Sequence, residues 1–516
     1  MVGRRLSRST LWIFSLTAMS RVLGFVRTVA LATFFGTEMQ TDAWVMASAL
    51  PNLLFGSVNQ AITVATVPAV SAAGVEDPDH FQRFLNQVWT LIVLAAVILT
   101  ALGEWLAPLI VSIIARGFRG PERQLTILMT RIMIPSIIFW GASGFLTGIL
   151  QSRDNYFGMT LSPLMLNVVQ IFGIIVLGHW FHIVGAAWGF SLAVASQLLI
   201  LWPLMRRHGL SLHFTRHFDH PRLRPMLKLM GPYFVVSSAG NVELMTDRML
   251  ASLMPTGSIS AMNYAFTVSQ VPLGLIITPL VTPIFTRLAQ HHAHRHQEAF
   301  RALAVQGFRW VLLFALPVSL VLLILNVPIL RGVYEHGVFN RSSLWLTSHM
   351  FLYAILALPA VSLTTYLQQV LYAAENTARP ARYSLIAVCT NIVGNLLLTR
   401  WLGVYGLVLA TTLASWTNCA LLLRTFAWRQ QLRRQRDFLF ALTLAGSAMA
   451  LTLTGLSALM NLNHVYGLAP LILGVLFTAL TALLIYGSLL LVLRVPEARQ
   501  AGRLARHLVQ RLAVSS

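Results

Sequence analysis

The chain has 516 residues, of which 56% are hydrophobic and only 10% charged, with a mean hydropathy of +0.71. A soluble domain carries about 25% charged residues, so the composition excludes a soluble globular protein and leaves room for many spans of about 20 residues each. The net charge of +21 rests on arginine, with Lys228 the single lysine; in a membrane chain topology accounts for such a surplus, and no nucleic-acid partner is expected.

Fourteen membrane helices are predicted, about 10–35, 42–73, 88–114, 125–151, 160–181, 183–205, 227–253, 258–288, 307–330, 344–374, 381–400, 403–424, 438–460 and 467–493. The first apolar run is too long for a cleavable signal peptide and leads straight into the second. With both termini inside, the inner segments collect 27 of the 37 Lys and Arg residues, against six in the outer loops. That is the positive-inside bias, and it supports an even number of helices. The expected class is therefore all-α and polytopic. Its parts are an N-lobe (1–205), a basic cytoplasmic linker (206–226), a C-lobe (227–424), a cytoplasmic loop (425–437), two last helices (438–493) and an amphipathic basic tail (494–516) on the inner leaflet.

Charges inside the spans carry the functional signal, because each costs roughly 2.5–3.5 kcal/mol on insertion scales and usually faces a cavity, a partner or a substrate. Ser20 to Pro68 holds Arg21, Arg27 and Asp42, with Gly24, Gly36 and Pro51 as breakers. This suggests a polar cavity; the alternative is that the arginines snorkel to the membrane faces or pair internally. Arg131 lies in the fourth helix, either lining the cavity or near the outer interface. An internal echo sets Asp42 nine residues before Pro51 and Asn263 nine before Pro272, and paired broken helices in corresponding halves point to a transport pathway.

Glu243, Asp247 and Arg248 share the seventh helix; the eleventh holds Asn391 and Asn395, and the twelfth Thr411 and Thr412. A carboxylate with amide and hydroxyl oxygens is a candidate cation or proton site, at Asp247, Asn391, Asn395 and Thr411. The alternative is plain interhelical hydrogen bonding. His291, His292, His294 and His296 read as a solvated loop, since no acid or Cys completes a metal-ligand spacing. Cys389 and Cys419 read as small buried hydrophobes, and no metal or cofactor is expected. No P-loop, zinc-protease motif or nucleophile elbow occurs. The chain is therefore expected not to be an enzyme, and any transport to draw on sodium, protons, membrane potential or the substrate gradient.

SRVLGFVR (Ser20 to Arg27), FFG (Phe34 to Gly36), TDAW (Thr41 to Trp44) and PNLL (Pro51 to Leu54) resemble the opening of the MurJ (MviN) lipid II flippases. GSISAMNYA (Gly257 to Ala265) and QVPLG (Gln270 to Gly274) resemble their eighth helix. The resemblance implies the fold of the multidrug/oligosaccharidyl-lipid/polysaccharide exporters: two six-helix lobes around a central cavity, with helices 13 and 14 forming a lipid-tail groove. It implies alternating-access transfer of undecaprenyl-pyrophosphate-linked peptidoglycan precursor across the bacterial cytoplasmic membrane, alongside membrane lipids and the cell-wall synthesis machinery. Arg21, Arg27, Asp42, Asn52 and Arg131 become the substrate-binding candidates. The chain departs from the family's usual pattern at Thr28, at Phe55 and Gly56, and at Phe266 and Thr267, where many members carry charged residues. Two other cargo classes therefore stay open, another polyprenyl-linked oligosaccharide of exopolysaccharide or O-antigen type and, in a cation-coupled exporter, a drug; a membrane scaffold without transport is the non-transporter reading.

Overall fold

The computed structural model describes residues 2–52, 56–73, 78–425, 435–465 and 467–500. Every regular element among them is helical: α1 (Val2–Phe35), α2 (Met39–Leu50), α3 (Gly56–Ala73), α4 (Pro78–Ile114), α5 (Gly120–Met133), α6 (Ser136–Ser152), α7 (Phe157–Phe172), α8 (Gly178–Arg207), α9 (Leu223–Ala251) and α10 (Ser258–Pro272). Then follow α11 (Thr278–Ala293), α12 (Gln297–Ile324), α13 (Asn326–Tyr334), α14 (Arg341–Ile355), α15 (Leu358–Ala373), α16 (Ala378–Leu402), α17 (Val404–Thr425), α18 (Arg436–Leu459) and α19 (Leu468–Val492). The chain forms two compact units, one of Met1–Tyr264 with His336–Ser343, the other of Ala265–Glu335 with Leu344–Ser516.

Among the described residues ten helices are long and apolar enough to cross a membrane, or eleven if the bent pair Arg341–Ile355 and Leu358–Ala373 is one span. The difference from fourteen has local causes. The expected second span is cut at Pro51 into α2 and α3, and Leu53 and Leu54 of the PNLL stretch, with Phe55, lie outside the described residues. The seventh, α9, carries Arg224, Lys228, Glu243, Asp247 and Arg248, which dilute its hydropathy. The fifth and sixth form one run, Phe157–Arg207.

That run is nevertheless a hairpin. His182 has φ 52 and ψ −145, which no helix continues. On either side the chain packs back on itself: a Cβ at Gly185 would lie 2.0 Å from the carbonyl oxygen of Leu177, and one at Gly173 2.3 Å from the Cα of Gly189. Such approach needs residues without side chains at the crossing. Gly173→Ala forces the two arms apart, which by overpacking costs roughly 1–3 kcal/mol. The variant is expected to melt several degrees below wild type in detergent. Adding Gly189→Ala should cost less than its own single effect, because both would pry open the same contact; additive losses would show that the crossing is not shared.

The same hairpin is built twice. At α16–α17 a Cβ on Gly406 would lie 2.5 Å from the carbonyl of Leu398, and one on Gly394 2.9 Å from the Cβ of Ala410. Each of these four positions is 221 residues beyond its counterpart in α7–α8. Three pairs of left-handed backbone positions keep the same offset, Gly36 with Gly257, Asp154 with Glu375 and His182 with Gly403. So do the helix starts Gly120 and Arg341, and Phe157 and Ala378. The Asp42–Pro51 and Asn263–Pro272 echo lies on this register, and both prolines lead into a π-helical turn. The chain therefore carries an internal structural repeat without net insertion.

Apolar packing holds each unit. In the first, Phe84, Leu85, Phe145, Leu146 and Ile149 of α4 and α6 form a core with Leu201 and Met205 of α8. The basic segment after α8 is tied along α4. The Asn86 Oδ1 accepts from His213 N–H at 3.0 Å, Thr90 Oγ1 from Thr215 N–H at 3.0 Å, and Gln87 Oε1 from His220 N–H at 2.9 Å. Gln87 Nε2 donates to Asp219 Oδ1 at 2.6 Å, and this bond holds the carboxyl below its usual range. A lowered carboxyl pKa stabilises the tie above the ordinary carboxylate range, and that contribution fades as the pH falls through the lowered value. In the second unit, α12, α18 and α19 pack together, and the chain after α19 folds back through Val495 and Ala498. There Arg309 pairs with Glu497 at 3.0 Å and lies over the Phe438 ring at 4.4 Å. Of the expected tail, residues 501–516 lie outside the described residues, as do 426–434 of the loop before α18.

Candidate functional site

Arg27 sits in the apolar middle of α1, and the chain supplies it with a polar shelf. Asn167 and Gln170 lie three apart on α7, which puts them on one face. Arg27 Nη1 donates to Asn167 Oδ1 at 3.3 Å and to Gln170 Oε1 at 3.2 Å. Asn167 is fixed in turn, since its Nδ2 donates to the carbonyls of Ser20 at 3.0 Å and Pro163 at 3.1 Å. Asn167 and Gln170 are buried and Arg27 is half-buried. Both bonds use one guanidinium nitrogen, so the other edge of the fork stays open to an anion. Neither amide is among the candidates that the sequence offers, although two amides at helical spacing in an apolar segment are themselves a signal.

Asp42 is placed differently. It is 2% exposed and does not line open space. Its Oδ2 accepts from Gly257 N–H at 2.6 Å, and its Oδ1 accepts from Ser260 N–H at 2.8 Å and Ser260 Oγ at 2.7 Å. These are the free N–H groups at the start of α10, where a carboxylate is favoured both by hydrogen bonding and by the helix dipole. Gly257 takes φ +89, and a Cβ there would stand 2.4 Å from the carbonyl oxygen of Thr37. Around this clamp Tyr264 Oη donates to the carbonyl of Gly36 at 2.9 Å, Val338 N–H to that of Thr33 at 2.9 Å, and Thr37 Oγ1 to Ser343 Oγ at 2.6 Å. The TDAW and GSISAMNYA stretches thus meet at one carboxylate.

The other candidates are spread out. Arg21 is exposed, six residues before Arg27 on α1. Asn52 is exposed beside Pro51. Arg131 is exposed on α5, within electrostatic reach of Glu104 on α4. Among the candidate cation ligands, Asn391, Asn395 and Thr411 come together in the second unit: Asn395 Nδ2 donates to Asn391 Oδ1 at 2.9 Å, and Asn391 Nδ2 to Thr411 Oγ1 at 3.1 Å. Both asparagines are fully buried. Asp247 is buried in the first unit. Thr412 donates to the carbonyl of Tyr353 at 2.8 Å and serves packing. Cys419 is buried as expected, whereas Cys389 is exposed on α16, facing outward from an apolar helix. No cluster of His, Cys, Asp or Glu suited to a metal occurs among the described residues.

The family model described as "Lipid II flippase MurJ" matches residues 31–475. The chain belongs to the MurJ family. MurJ relatives named "Probable lipid II flippase MurJ" include one from Buchnera aphidicola subsp. Acyrthosiphon pisum, 29% identical over 436 residues, covering 82% of this chain and 84% of the relative. Another, from Rickettsia prowazekii, is 28% identical over 422 residues, covering 81% and 83%. Among solved structures, "Lipid II flippase MurJ, inward closed conformation" matches with a TM-score of 0.77 at 23% identity, over 93% of this chain and all of that one. An inward-facing MATE family multidrug transporter of the MOP superfamily matches with a TM-score of 0.62 at 12% identity, over 82% of this chain and 95% of that one. The MurJ fold is thereby established as the frame in which Arg27 and the Asp42 clamp sit.

Proposed function

We propose that this chain moves undecaprenyl-pyrophosphate-linked peptidoglycan precursor, lipid II, from the inner to the outer leaflet of the bacterial cytoplasmic membrane by alternating access. Membership of the MurJ family supports the cargo. The observation that carries the chemistry is Arg27, held by Asn167 and Gln170 with one edge of its fork uncommitted. Pyrophosphate oxygens match that fork, and charge-assisted bonds strengthen where water is scarce. Arg21, Asn52 and Arg131 would meet the headgroup or its sugars, while the polyprenyl chain stays in lipid along α18 and α19.

Membrane potential, sodium or protons would drive the cycle; the Asn391–Asn395–Thr411 chain offers oxygens suited to a hard cation. The basic inner segments support both termini in the cytoplasm, beside the cell-wall synthesis machinery. A different polyprenyl-linked oligosaccharide is favoured by one feature, the uncharged Phe266 and Thr267 where many members carry charges.

The deciding experiment is complementation in a strain depleted of its own lipid II flippase. Wild type is expected to restore growth. Its failure to do so while inserted in the membrane at normal levels would overturn lipid II as cargo and turn attention to glycans linked to the same carrier.

A further inference from the structure

Arg248, in the last turn of α9, is a charge that the proposed transport leaves unused. It lies 221 residues beyond Arg27, on the offset that relates the two hairpins and three pairs of left-handed positions. Arg27 stands nine residues before Gly36, and Arg248 nine before Gly257, so each occupies the same place ahead of an equivalent chain reversal. The two differ in how far their donors are used. Arg27 has two amide acceptors on one nitrogen. Arg248 donates from Nη2 to Asn263 Oδ1 at 3.4 Å, at the weak end of hydrogen-bond geometry. Its Nη1 is buried without an acceptor, and no carboxylate lies at ion-pair distance among the described residues. Asp247 acts on it electrostatically, but consecutive positions on a helix point about 100° apart, and Asp247 has an interaction of its own.

We propose that Arg248 is a second anion-binding group of this protein, the repeat counterpart of Arg27, and that it takes the pyrophosphate of a polyprenyl-linked cargo. A guanidinium has five donors in a planar fork, and phosphate oxygens are the acceptors that fit it. Two phosphate groups call for more than one such fork, so Arg248 would separate pyrophosphate from monophosphate carriers. The inference rests on the proposed function for the identity of the cargo, and on the repeat and the unspent donors for the site.

The test uses purified full-length protein in detergent and two probes, undecaprenyl pyrophosphate and undecaprenyl phosphate, with binding read by native mass spectrometry. Arg248→Gln is expected to weaken the pyrophosphate probe at least tenfold and the monophosphate probe far less. Arg248→Lys, which keeps the charge but not the fork, should fall between and serves if the glutamine variant does not fold. If Arg248 merely balances Asp247, the pair Asp247→Asn with Arg248→Gln will bind as wild type does, and the proposal fails. It fails equally if either single variant binds pyrophosphate normally, or if wild type binds neither probe. Arg248-dependent pyrophosphate binding in a protein that cannot replace a lipid II flippase would overturn the cargo assignment and leave Arg248 in place.

Discussion

Replacing Arg27 by alanine is expected to end transport while the protein stays inserted in the membrane. The substitution removes the one fork that α1 presents beside Asn167 and Gln170. Losing charge-assisted bonds to phosphate, each about twice as strong as a neutral bond, lowers productive binding on the order of 100-fold, since about 1.4 kcal/mol is tenfold. The two amide oxygens then lack a donor, which costs roughly 1–3 kcal/mol of stability. Arg27→Lys separates the effects. It keeps a cation near the shelf and most of the stability, but a point charge cannot span two oxygens, so transport should still fall at least tenfold. Transport assayed in vesicles, beside thermal melting, reads both quantities. Normal transport by the alanine variant would remove Arg27 from the cargo's path.

Asp42 is expected to behave in the opposite way, losing the fold first. Its two oxygens satisfy two backbone N–H groups and one hydroxyl at the head of α10. Alanine leaves the two N–H groups buried with no acceptor, while the Ser260 hydroxyl keeps the carbonyl of Gly257 at 3.1 Å; breaking such a buried charged network costs roughly 3–5 kcal/mol. Asparagine replaces one oxygen with a donor that faces another donor, so it should recover only part of this. Melting in detergent should fall for both variants, more for alanine, and hydrogen exchange should rise at Gly257 to Ser260. Variants that melt like wild type yet fail to transport would instead place Asp42 in contact with cargo, as its charge in an apolar stretch first suggested.

The contrast between these two residues shows what a sequence makes readable. Charge in an apolar helix marks both Arg27 and Asp42, because insertion cost does not depend on what the charge will touch. Their partners decide the role, and those lie 140 to 218 residues away. Asn167 and Gln170 were discoverable as an i, i+3 amide pair; their pointing at Arg27 was not. The helices themselves are largely legible from hydropathy, and the two prolines expected to interrupt corresponding helices each stand at a π-helical turn, with the helix running on past Pro272. The full repeat was hidden for a physical reason. It is kept in backbone turns and in the small residues of the crossings, such as Gly173 and Gly394, while the side chains on either side have diverged. Asn391 stands where Gln170 stands in the earlier half, one on the arginine shelf and the other in a hydrogen-bonded chain with Asn395 and Thr411.

The Asp42 clamp also changes how the two most recognisable stretches of this chain count as evidence. TDAW supplies the carboxylate, and GSISAMNYA supplies Gly257, Ser260 and the left-handed turn that brings their N–H groups to it. Neither stretch can drift alone: a change at position 42 strands the donors, and a side chain at position 257 collides with Thr37. They are one lock written in two places, so among related chains positions 42, 257 and 260 should vary together, and a match to both carries less independent information than two separate fingerprints would.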